Sequence, residues 1–79
     1  MTQKTKTEDE RMRFFDRMNQ LMKEKGKCWF GLEDAVGVYK RTVYRGVKTR
    51  STLAAIAYYL EMRVEDMVNG TDAEDVWYN

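Results

Sequence analysis

Apolar residues recur at helical spacing through most of this chain, and no useful length of it alternates between polar and apolar residues as a strand does. In the segment 51–60, Leu53, Ile56, Ala57 and Leu60 fall on one side of a helix. The 79 residues include no proline and only five glycines, so little in the sequence interrupts a helix. The pattern therefore predicts an all-α fold.

We predict a compact arrangement of five helices around one small core, in a single domain, 1–79. The first helix covers about 8–25, begins at a capping box formed by Thr7 and Glu10, and ends at Gly26. The second covers about 30–36, and its apolar side carries Leu32, Ala35 and Val36.

Gly37 separates the second helix from a third at about 40–48. Ser51 or Thr52 is the expected N-cap of the fourth helix. A fifth, short helix carries Val64, Met67 and Val68 and closes at Asn69-Gly70. The core is expected to span about 8–70, with 1–6 a frayed N-terminus and 71–79 an acidic C-terminal tail.

The side chains that most enzymes need are missing. The sequence has no histidine, and Cys28 is its only cysteine. It contains no glycine-rich phosphate loop and no zinc-ligand spacing. We therefore expect no enzyme, no catalytic residue, no metal and no cofactor. Without an apolar signal region or a membrane-spanning run, the chain is expected to be cytoplasmic.

Positive charge is concentrated in one segment of a nearly neutral chain. Residues 37–50 carry five cations and no acid, whereas residues 61–79 carry six acids and one cation. A patch of one sign indicates a polyanionic partner, although a solvated face that binds nothing has the same composition.

The basic segment has two faces when it is drawn as a helix. Val43 and Val47 share a narrow apolar side, and Lys40, Tyr44 and Lys48 share another. Two helices joined by a tight glycine turn, with cations and tyrosines on the second, predict a helix-turn-helix whose second helix enters the DNA major groove.

Two motifs then suggest a family. The segment 32–48, LEDAVGVYKRTVYRGVK, resembles the helix-turn-helix of the XRE family of Cro/cI-type repressors, with Leu32, Gly37, Val38 and Val43 at its characteristic places. The segment 52–68, TLAAIAYYLEMRVEDMV, is similar to the fourth and fifth helices of that family. The resemblance covers about residues 10–70.

The resemblance implies a lambda-repressor-like domain with its helix-turn-helix in helices 2 and 3. It implies a sequence-specific DNA-binding transcriptional regulator, a small repressor of phage or mobile-element type, which binds double-stranded DNA as a homodimer. The DNA-binding residues expected from this segment are Tyr39, Lys40, Arg41, Thr42, Tyr44, Arg45, Lys48 and Arg50. No small-molecule ligand is expected, because residues 71–79 are too few for a ligand-binding domain.

Two residues depart from the family pattern. Glu33 stands where the family has alanine, so either its side chain turns out to solvent toward Lys40 or Arg41, or the second helix is displaced. Gly46 replaces an apolar residue, which predicts a third helix that ends early or is irregular.

Aromatic residues leave a second function open. Trp77 and Tyr78 end the acidic tail, and either a dimer contact or packing on their own subunit accounts for them. Only one of Tyr58 and Tyr59 fits on the buried side of the fourth helix. The alternative to DNA binding is a protein-interaction module, antitoxin-like or anti-regulator, that uses the same fold.

Overall fold

Six helices make up most of the computed structural model, which describes residues 11–79. They are α1 (Phe14–Lys25), α2 (Trp29–Val36), α3 (Lys40–Arg45), α4 (Arg50–Leu60), α5 (Val64–Val68) and α6 (Glu74–Tyr78). No strand occurs within this part of the chain, apart from one isolated bridge between Met12 and Thr71. The all-α class is confirmed for these residues. The predicted count of five helices is wrong, because α6 forms within the segment predicted to be a tail.

Helix α4 occupies the centre of the molecule and packs against α1, α2, α5 and α6. Leu53, Ile56 and Leu60 are completely buried, and Ala57 nearly so, as the helical spacing predicted. Complete burial of a leucine or isoleucine side chain contributes about 1.5–3 kcal/mol to folding. The other buried apolar residues come from α1, α2, α3, α5 and the links between helices: Phe14, Met18, Met22, Leu32, Val38, Val43, Val47, Met67, Val68 and Ala73.

Helix α1 begins at Phe14. The helix predicted from about residue 8 would include residues 11–13, but these are not helical, so that part of the prediction is wrong. The capping box at Thr7 and Glu10 and the frayed segment 1–6 lie outside the described residues. The backbone N–H of Phe14 donates to the side chain of Asp72 at 3.0 Å. A carboxylate from the far end of the chain therefore caps α1.

Helix α2 starts at Trp29 and is capped by Cys28, whose exposed sulfur accepts from the N–H of Gly31 at 3.4 Å. Leu32 is buried and Val36 is partly buried, but Ala35 is exposed, contrary to its predicted position on the apolar side. Helix α2 rests mainly on α4, and Ala35 lies outside the buried side of that contact.

A glycine ends α2, which precedes the basic segment, and another ends α3, which lies within that segment. Gly37 follows α2 at φ 73° and ψ 19°, a left-handed conformation that favours glycine. Gly46 follows α3 at φ 116° and ψ 123°, which L-residues rarely adopt. Helix α3 consequently has six residues, so the predicted extent of 40–48 is too long and the expectation of an early end is confirmed.

Helix α4 starts at Arg50, which precedes both of the predicted N-caps, Ser51 and Thr52. Thr49 is its N-cap, and its hydroxyl oxygen accepts from the N–H of Thr52 at 3.3 Å. Ser51 and Thr52 lie inside the first turn instead, where their own N–H groups are among the orphan donors. The predictions of Ser51 or Thr52 as the cap are therefore wrong.

Residues 70–75 pack against residues 11–14, and we call this contact the terminal clasp. Met12 donates to the carbonyl of Gly70 at 3.1 Å and accepts from the N–H of Asp72 at 3.1 Å. The guanidinium of Arg11 donates to both carboxylate oxygens of Asp75, at 3.2 and 2.9 Å. The first residues of the predicted tail, 71–75, are thus packed into the fold.

The remainder of the C-terminal segment also packs on its own chain. Thr71 is completely buried and Ala73 is 4% exposed, while Val76 and Trp77 lie against the core. Tyr78 remains exposed. Of the two readings of this segment, packing on the same subunit therefore accounts for Trp77.

Candidate nucleic-acid interface

The basic segment is held by two valines and otherwise faces solvent. Between residues 39 and 50, Val43 and Val47 are buried, at 2% and 8% exposure, and every other residue is exposed. The exposed set contains all eight side chains predicted to meet DNA: Tyr39, Lys40, Arg41, Thr42, Tyr44, Arg45, Lys48 and Arg50.

Those eight residues do not share one helix. Lys40, Arg41, Thr42, Tyr44 and Arg45 lie on α3, and Tyr39 is its N-cap residue. Lys48 lies in the link after Gly46.

Arg50 is the first residue of α4, and its guanidinium lies 4.6 Å from the centre of the Trp77 ring. The predicted residues therefore form one group on and next to α3, followed along the chain by two further cations, Lys48 and Arg50.

Helix α3 is fixed to α1 by a row of aromatic rings. Tyr44 meets Phe15 edge to face, with 5.1 Å between ring centres, and Phe15 stacks on Trp29 at 5.3 Å. Such pairs contribute about 0.5–1.5 kcal/mol beyond the area that they bury. The indole N–H of Trp29 donates to the side chain of Asn19, which fixes the far end of the row.

Cations lie over both ends of this aromatic row. The guanidinium of Arg13 is 4.9 Å from the centre of Tyr44 and donates to the carbonyl of the same residue at 3.1 Å. The ammonium of Lys40 is 5.9 Å from the centre of Trp29. Sequence reasoning did not single out Arg13, because 31 residues separate it from Tyr44 and no local pattern links the two.

A shallow groove of about 510 Å³ runs between α1, α2 and α3. Its walls are formed by Phe15, Glu33, Tyr39, Lys40, Arg41 and Tyr44. Glu33 is half-buried here, on the side where Lys40 and Arg41 lie, and Arg41 also lies 5.4 Å from the centre of the Tyr39 ring. The departure at Glu33 thus brings one carboxylate into a wall made of aromatic rings and cations.

A second cleft, of about 390 Å³, lies between α1, the end of α3 and α6. Arg13, Arg45, Asp72 and Asp75 contribute to its walls, so acids of the terminal clasp border the basic segment. Hydrogen bonding to Arg11 holds the pKa of Asp75 below its ordinary value, which favours the ionised carboxylate.

Residues 11–79 bring together no cluster of three or more histidine, cysteine, aspartate or glutamate side chains that would suit a metal ion. In the same part of the chain, each helix is too short or too polar to cross a membrane. Comparisons with protein-family models, with curated proteins and with solved structures found no significant match.

Proposed function

We propose that this protein binds double-stranded DNA through α3 and the cations that follow it, and acts as a transcriptional regulator. The observation that carries the proposal is the exposure of every cation and tyrosine from Tyr39 to Arg50 around two buried valines. Lysine and arginine release counterions from DNA phosphates, and that release provides affinity without sequence information. Tyrosine and arginine add contacts to base edges and phosphates.

The finer fold assignment belongs to the same proposal. We propose that α2 and α3 act as a helix-turn-helix of the XRE type, with Gly37 at the turn. The sequence motifs support this assignment, as does the left-handed conformation of Gly37, which ends α2. Helix α3 is only about 9 Å long at 1.5 Å per residue, so its first residues, Tyr39 to Thr42, are the ones proposed to meet base edges.

Two arginine substitutions test the interface. Arg41→Ala and Arg45→Ala should each weaken DNA binding by about 1–3 kcal/mol, because each removes a contact to a phosphate or a base. Lys23→Ala is the matched control, since Lys23 is an exposed cation in the last turn of α1. Fluorescence anisotropy with labelled duplex DNA gives the three affinities.

The salt dependence tests for phosphate contacts, and the sequence preference tests for recognition of a specific site. We expect a slope that corresponds to about 3–5 phosphate contacts per subunit. Selection of genomic fragments with the purified protein should return a two-fold repeated site if a homodimer binds. If no duplex DNA binds at low salt, or binding is independent of salt, the proposed function is wrong.

A protein-interaction module is the second candidate function. Phe30 on α2 and Tyr58 on α4 are 73% and 81% exposed, which is high for large apolar side chains. A stoichiometric protein partner, lost with Phe30→Ser or Tyr58→Ser and recovered without enrichment of DNA, would favour this alternative. Retention of full DNA binding by both variants would favour the first proposal.

A further inference from the structure

We propose that the groove between α1, α2 and α3 holds one unpaired nucleobase, so that the protein prefers DNA with an extruded or unpaired nucleotide to perfectly paired duplex. This inference rests on the proposed function, since it names a second contact made by the same face. It goes further, because insertion of a helix into the major groove requires no unpaired base.

The walls of the groove provide surfaces on which a base can stack. Phe15, Tyr39 and Tyr44 all contribute to it, and the two tyrosines are 43% and 56% exposed. Proteins that bind unpaired nucleic acid place aromatic rings in a basic groove, because every base has a π-face that stacks on them. The volume of about 510 Å³ lies within the range of pockets that take small organic ligands.

Each tyrosine has an arginine beside it. Arg41 lies 5.4 Å from the centre of the Tyr39 ring, and Arg13 lies 4.9 Å from the centre of the Tyr44 ring. Each guanidinium lies over a face of its ring, so a base that stacks on that ring either takes the opposite face or displaces the guanidinium toward its phosphate. Lys40 lines the groove together with Arg41, whereas Arg13 lines the neighbouring cleft on the other side of Tyr44.

Glu33 selects which part of the nucleotide enters. Its carboxylate is half-buried in the groove wall, where it repels a phosphate and accepts a hydrogen bond from an amino group. Cytosine, adenine and guanine each carry such a group on a base edge, and thymine does not. An unpaired cytosine is therefore a suitable probe.

Three duplexes of otherwise identical sequence test the proposal: one fully paired, one with a single bulged cytosine, and one with a bulged nucleotide that lacks its base. The third has a bulge without a base to stack and so controls for the shape of the bulged DNA. We expect the cytosine bulge to bind roughly tenfold more tightly than the other two, because one stacked base is worth about a factor of ten or more.

Tyr39→Leu should reduce the preference for the cytosine bulge to about twofold or less. Tyr58→Leu removes an exposed tyrosine of α4 and should leave the preference unchanged. Tyr44→Leu should act like Tyr39→Leu, but Tyr44 also packs on Phe15, so Tyr39→Leu decides the outcome if Tyr44→Leu fails to fold.

Equal affinity for the cytosine bulge and the bulge without a base would overturn this inference while leaving the proposed duplex-binding function intact. Equal loss of preference in Tyr58→Leu and Tyr39→Leu would also overturn it. Failure to bind any of the three duplexes at low salt would overturn both proposals together.

Discussion

Gly31 leaves space for the side chain of Tyr59 where α2 rests on α4. A methyl group at Gly31 would collide with the Tyr59 hydroxyl, which donates to the carbonyl of Cys28 at 3.4 Å. Alanine in place of glycine favours a helix by about 1 kcal/mol, but displacement of the hydroxyl loses a hydrogen bond worth about 0.5–1.5 kcal/mol. The Tyr59 ring packs against the core, so its displacement adds a steric cost to the lost hydrogen bond.

We therefore expect Gly31→Ala alone to lower the free energy of unfolding by about 1–3 kcal/mol. In the background of Tyr59→Phe, which lacks the hydroxyl, the same substitution should be less destabilising, with only the close contact to the ring carbon remaining. Chemical denaturation of the two single variants and the double variant measures the difference. Equal effects of Gly31→Ala in both backgrounds would contradict the role assigned to the hydroxyl.

Asp75 should make stability depend on pH in acid. The hydrogen bond from Arg11 lowers the pKa of Asp75 in the folded state, so the ionised form favours folding above the ordinary aspartate pKa of about 4. The stabilisation is lost as pH falls from that value through the lower folded pKa. Melting temperatures measured from neutral pH into this range should fall less steeply for Asp75→Asn, with Asp34→Asn, an exposed acid of α2, as the control.

At the scale of a helix, the first turn of α4 offers a direct comparison of two candidate caps. Thr49→Ala should destabilise the protein by about 0.5–2 kcal/mol, because the hydroxyl of Thr49 satisfies the N–H of Thr52. Ser51→Ala should have a much smaller effect, since Ser51 is exposed within the helix. Thermal unfolding of both variants checks this order, and a larger effect from Ser51→Ala would contradict the assigned cap.

Helix ends were predictable where the sequence itself contains the cause. Gly26 and Gly37 end α1 and α2 through their own backbone conformation, and both were identified in advance. The start of α1 could not be predicted in this way, because its capping carboxylate, Asp72, is 58 residues away in the sequence. Helix α6 was missed for a similar reason, since a helix of five residues is stabilised by what it packs on rather than by propensity.

The candidate interface also combines features that the local sequence predicts with features that depend on distant contacts. Helical spacing was enough to separate buried Val43 and Val47 from the exposed cations around them. It gave no indication of Arg13, nor of the groove wall that Phe15 contributes from α1, because both depend on how α3 rests on α1. Residue types on one helix are thus accessible from sequence, whereas surfaces shared between helices require the fold.

At the scale of the whole molecule, the C-terminal segment is part of the core. A chain that ends at Gly70 loses buried Thr71 and Ala73, the cap of α1 and the contacts of Trp77. We expect this truncated chain to unfold at a much lower temperature, with a broad transition, because a small domain has little stability to spare.

The matched control for this truncation is a chain that lacks only Asn79, whose side chain is exposed. Circular dichroism melting curves of both chains and the full-length protein give the comparison. Cooperative unfolding of the chain that ends at Gly70, at the full-length temperature, would show that the segment after Gly70 contributes little.

The terminal clasp also has a consequence for the order of events during folding. Its partners are separated by 58 to 64 residues, so the chain must close a long loop before these contacts form. Contacts within α1, or between α4 and the neighbouring α5, connect residues much closer together in the sequence and cost less entropy to form early. The clasp is thus expected to form after the folding transition state and to open at the start of unfolding. Its strength then governs the lifetime of the folded protein rather than the rate at which it folds.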